Sequence, residues 1–104
     1  MNLLPEVIAL VEQVNKLHSE DPKVYEYWDK LTVLLSRDER STIKLLNCLG
    51  DSNILEDLSS VFDDVSRNLQ STDFISCIES LEKRYPELML EHMVQAAKDA
   101  LIDQ

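Results

Sequence analysis

The stretch NILEDLSSVFDDVSRNL, residues 53–69, is the most regular in the chain and decides its fold class. Ile54, Leu58, Val61, Phe62, Val65 and Leu69 follow the i, i+3, i+4, i+7 spacing that gathers side chains on one face of an α-helix. The spacing predicts one continuous amphipathic helix from near Asn53 to Leu69, the fourth in the chain.

The outward face of this predicted helix is acidic. Glu56 and Asp63 fall opposite the Leu58 and Val65 stripe, and Asp57 and Asp64 repeat the same seven-residue step one position on. Between Asp51 and Asp73 six carboxylates are opposed by Arg67 alone, so this segment carries half of the chain's net charge of −10. Four like charges on one helix face repel one another and weaken the helix. A solvated face is one reading of them. A binding face, which would offset that cost, is the other, and it makes Glu56, Asp57, Asp63 and Asp64 the candidate partner-binding residues.

The flanking sequence predicts more helices. A single glycine in 104 residues argues against sheets and hairpins, whose tight turns call for it. Val7, Ile8, Val11, Val14 and Leu17 form the stripe of a first helix beginning near Leu4. Asp21 and Pro22 suit the N-cap and first position of a second, whose apolar face holds Val24, Trp28, Leu31 and Leu35, widened by Tyr25 and Tyr27. Tyr27 falls on the margin of that face, where a half-exposed aromatic can anchor a partner, and joins the candidate site on that ground. Ser36-Arg37-Asp38-Glu39 reads as a capping box opening a third helix, which places Ile43, Leu46 and Leu49 in the core and closes at Gly50 in the left-handed conformation. Ser71 caps a fifth, carrying Phe74, Ile75, Ile78 and Leu81 up to the break at Tyr85-Pro86. A sixth, with Leu88, Met89, Met93, Ala97 and Leu101, follows. The expected fold is all-α: one domain over residues 1–104, about six antiparallel helices in a bundle or short superhelix.

Composition bounds the function. Twenty acidic against 10 basic side chains make nucleic acid and anionic membranes poor ligands, and favour a cationic protein. The two cysteines, Cys48 and Cys77, have no CxxC pairing and sit among apolar residues, which predicts buried, reduced thiols. The N-terminal apolar run is interrupted by Pro5, Glu6 and Glu12 and has no basic leader, so a cytoplasmic protein is expected. His18 and His92 form neither an HExxH nor a Glu-x-x-His pair, and no glycine-rich phosphate loop exists. No metal, cofactor or catalytic set is therefore expected, and the chain is read as a binding protein and not an enzyme.

Several stretches resemble a known family. Asp38-Glu39 leading to Thr42-Ile43 and Leu46, then Val61-Phe62-Asp63-Asp64-Val65-Ser66, then Phe74-Ile75 to Leu81, and Tyr85-Pro86-Glu87-Leu88 are similar in texture to small helical immunity proteins of bacterial polymorphic toxins, including contact-dependent growth inhibition systems. Together they span about half the chain, and none is a catalytic signature. The resemblance implies a cytoplasmic inhibitor, a monomer in a 1:1 complex, that covers the active site of a cognate toxin domain, often a nuclease such as an RNase. It assigns no binding residue. Two other readings remain open on the sequence: an acidic DNA mimic and a helical adaptor domain.

Overall fold

The computed structural model describes residues 3–18 and 20–102. The order is α1 (Leu4–Lys16), α2 (Lys23–Leu35), α3 (Glu39–Cys48), α4 (Ser52–Ser59), α5 (Phe62–Leu69), α6 (Thr72–Arg84), a 3₁₀ turn (Pro86–Leu88) and α7 (Glu91–Asp99), with no strand among the described residues. The all-helical expectation holds, but the α-helices number seven among these residues and not about six. No helix among them is long and apolar enough to cross a membrane.

The additional helix comes from the segment that looks most continuous in sequence. The expected helix over Asn53–Leu69 breaks at Ser60-Val61 into α4 and α5. Adjacent serines weaken a helix at this point, because their hydroxyls compete for backbone carbonyls. Ser59 Oγ donates to the Glu56 carbonyl at 2.6 Å, and the amides of Ser60 and Val61 close the helix through i→i+3 bonds to Asp57 and Leu58. Val61 then leaves helical space at φ −112°, ψ 8°. The break lets Val61 and Phe62 both reach the interior, along with Leu55 and Leu58.

Three other local expectations are corrected. Asp38, not Ser36, caps α3: its extended backbone lets the carboxylate accept from the Arg40 amide at 3.3 Å and the Ser41 hydroxyl at 2.7 Å. Ser36 instead ends α2, and Glu39 accepts from the Ser71 hydroxyl and not from a capping box. Gly50 is not left-handed; that conformation belongs to Gln70 (φ 48°) after α5 and Met89 (φ 53°) before α7. Met89 and Tyr25, expected on apolar faces, are 72% and 73% exposed. Ser71, as expected, caps α6 by accepting from the Phe74 amide at 3.0 Å.

A Cβ added at Gly50 would meet nothing within 4 Å. Gly50→Ala is therefore expected to stabilise the protein by about 0.4–1 kcal/mol, by restricting the unfolded chain, a gain that thermal unfolding would read as a higher Tm.

One apolar cluster takes side chains from every helix: Val7 and Val11, Leu31 and Leu35, Leu46, Leu58, Phe62 and Val65, Phe74 and Ile78, and Ala97. The radius of gyration, 12.9 Å, is that of a chain of about 100 residues folded as one body. The most extensive contact joins α5 to α7. It is fixed by polar ties: the buried Ser66 hydroxyl donates to the Ala97 carbonyl at 2.6 Å, while the Gln70 amide group donates to the Ala100 carbonyl and accepts from the Ile102 amide. These bonds satisfy carbonyls at the C-terminal end of α7, which helices otherwise leave without partners.

Cys77 is buried under α3, and burial pushes its thiol above the ordinary value of 9.0 while Arg84 pulls modestly the other way. Cys48, expected to be buried, is exposed because it falls in the last turn of α3, on its outer side. One thiol should therefore react quickly with a disulfide reagent in the native protein. The second should react about a hundredfold or more slowly, and only in denaturant should both react fast. Two fast thiols in the native state would contradict the packing of α3 on α6.

Candidate functional site

The expected acidic strip lies on two helices instead of one. Glu56 sits in the C-terminal half of α4 and is exposed; Asp57, beside it, is half-buried and accepts from the Asn15 side chain of α1 at 3.4 Å. Asp63 and Asp64 occupy the first turn of α5 and are half-buried. The sequence predicts all four to be exposed; Glu56 is, and the other three are half-buried.

The position of Asp63 and Asp64 is explained by the break. Val61, the N-cap of α5, supplies no side-chain acceptor, so the first-turn amides rely on nearby negative charge, which the two aspartates provide. Asp64 also pairs with Arg67 at 2.7 Å, an i, i+3 pair that holds the short helix from its surface. These two carboxylates thus have a structural task that a continuous helix would not have given them. Glu56 and Asp63 have no basic side chain paired with them among the described residues.

Tyr27 is half-buried on α2, with the Lys30 ammonium 5.0 Å from its ring centroid. α2 packs against α5, which brings two of the three helices of the candidate site into contact, although no direct bond joins Tyr27 to the acidic residues among the described residues.

A feature that the sequence reading missed adjoins the acids. A solvent-open groove of about 240 Å³ runs between the end of α4, the start of α5 and the outer face of α7, lined by Ser59, Ser60, Asp63, His92, Met93 and Ala96. It forms because α4 stops at Ser59 and the chain turns before α5 settles on α7. The signal for it was the Ser59-Ser60 pair inside an otherwise regular stripe. Serine, histidine and aspartate meet here, the residue types of a nucleophilic triad, but no hydrogen bond joins them among the described residues. The Ser59 hydroxyl is already given to the Glu56 carbonyl.

His18 is exposed beyond α1 and accepts from the Glu20 amide at 3.2 Å. No group of three or more His, Cys, Asp or Glu side chains among the described residues is placed to hold a metal ion.

No family model matches the chain, and neither a curated protein nor a solved structure matches it.

Proposed function

We propose that this chain is an immunity protein: a bacterial, cytoplasmic inhibitor that binds one cationic toxin domain, a nuclease, and covers its active site without doing chemistry of its own. The observation that carries the reading is the placement of Glu56 and Asp63 on consecutive short helices, without basic partners, in a protein of net charge −10. Such a field raises the encounter rate with a positively charged cleft by orders of magnitude at low salt, and charges not already paired are free to pair across an interface. A nuclease domain offers that cleft, because it must itself bind phosphates.

The arrangement favours this reading over a DNA mimic. A mimic needs carboxylates spaced like duplex phosphates along one face, whereas here Asp57 and Asp64 are turned to Asn15 and Arg67 within the fold. Of the remaining acids, Asp63 lines a groove walled in part by Met93 and Ala96, the mixture expected of a protein-binding surface with a charged rim.

The test is direct. The toxin to test is the variable C-terminal domain of any large secreted protein encoded immediately upstream. Mixed with this chain, it should form a 1:1 complex by size-exclusion chromatography with light scattering, and its nuclease activity should fall with the bound fraction. A neighbouring toxin domain that neither binds nor is inhibited would overturn the proposal.

A further inference from the structure

We infer that the groove between α4, α5 and α7 is a receptor for a single arginine side chain of the partner protein, an inference that rests on the proposed inhibitory role. The groove has two unlike parts. Met93 and Ala96 of α7 supply an apolar wall, and Asp63 at the start of α5 is the one carboxylate lining it among the described residues. A ligand that fills it must have an apolar body and a cationic head.

Arginine fits that description better than lysine. Its methylene stem lies along apolar surface, and its planar fork meets a carboxylate through two parallel hydrogen bonds. A guanidinium is also more weakly hydrated than an ammonium, so less is lost when it enters a partly apolar site. Charge complementarity points the same way. Asp63 has no basic partner among the described residues, and Glu56, one helical turn before Ser59 and Ser60, adds negative potential on the same side of α4. The Ser59 hydroxyl is committed to the Glu56 carbonyl, which leaves Asp63 as the charged acceptor that orients the head group. His92 lines the α7 side and offers a flat ring beside the stem.

The experiment needs no toxin. N-acetyl-arginine methylamide and its neutral isostere, N-acetyl-citrulline methylamide, are titrated into the ¹⁵N-labelled full chain at pH 8, with amide shifts read by NMR. The arginine probe should bind with a Kd on the order of 1 mM, shifting Asp63, His92, Met93 and Ala96, and the citrulline probe about tenfold more weakly. Asp63→Asn should abolish the difference between the probes. Ala96→Leu, which fills the apolar wall without altering charge and with little change in helix propensity, should weaken the arginine probe about tenfold, with circular dichroism confirming the fold of both variants. Equal binding of the two probes overturns the inference, as do shifts spread over all the surface carboxylates or arginine binding undiminished in Ala96→Leu. Concentration-dependent shifts at the groove without probe, the mark of a second copy docking there, overturn it too. A groove that ignores arginine while the toxin is still inhibited removes this inference alone; a groove that binds arginine with no inhibition of the toxin removes the functional proposal alone.

Discussion

Phe62→Ala is expected to destabilise the protein by about 3–5 kcal/mol, a large share of the 5–15 kcal/mol that holds a domain of this kind together. Phe62 is 1% exposed, and its ring meets Phe74 of α6 edge-on, with centroids 6.0 Å apart and planes at 89°. Edge-to-face pairs contribute roughly 0.5–1.5 kcal/mol beyond the area they bury, so the loss belongs at the upper part of that range. The residue also opens α5, directly after the break at Ser60-Val61. A cavity there removes the contact that holds the new helix direction. Urea unfolding should show a lower midpoint with a similar slope, the sign of lost stability and not of a looser native state. Ser66→Ala makes a useful comparison, since it leaves the apolar core whole and removes only the tie to the Ala97 carbonyl. Its cost should be nearer 1–2 kcal/mol. A Phe62→Ala variant as stable as that one would mean that α5 is not anchored through its first residue.

The same residue shows how far the sequence could be read. Its burial was legible, because Phe62 belongs to a stripe at helical spacing, and so do Leu58 and Val65. The break beside it was not, because a stripe of period 3.6 looks the same whether one helix bears it or two short ones in nearly the same register. What decides between them is a contest among weak local terms, here serine hydroxyls against backbone bonds, settled by the gain from burying Val61. The capping signals behaved similarly. Ser71 caps α6 as the sequence suggests, although Thr72 and Asp73 follow it, while Ser36 lost to Asp38, two residues on, which takes the extended conformation and accepts two hydrogen bonds. The left-handed positions fell to Gln70 and Met89 in place of the single glycine, since tertiary ties such as those of the Gln70 side chain outweigh the modest cost of that conformation. The acidic residues were legible as a group, because charge is additive along the sequence. The groove beside them was not, because it exists only where α7 packs back on α5 from some thirty residues away.

The break also changes what charge reversal should do, and this makes the functional proposal easier to test. On one continuous helix, Asp63→Lys with Asp64→Lys should leave the melting temperature nearly unchanged. In the first turn of α5 the two lysines would instead oppose the helix dipole and remove the Arg67 pair, at a combined cost of about 1–2 kcal/mol. Glu56→Lys is free of that complication. Glu56 is exposed, has no basic partner among the described residues and lies toward the C-terminal end of α4, where a positive charge is welcome. Its effect on stability should stay within about 0.5 kcal/mol, the ordinary range for a surface change. If the acidic face meets the toxin's cationic cleft, both variants should lose affinity: about tenfold for Glu56→Lys, and about 2–5 kcal/mol for the double reversal, which inverts the Asp63 contact and sets a second positive charge beside it. The loss for Glu56→Lys should come mainly from slower association, with a shallower dependence on ionic strength, because steering is what it removes, while the double reversal should also speed dissociation, because Asp63 holds the seated arginine. Stopped-flow association at several salt concentrations, run alongside thermal unfolding, separates the two effects. Unchanged association of Glu56→Lys, with the salt dependence of the parent protein, would place the partner on another face and leave Asp63 and Asp64 only their structural task at the start of α5.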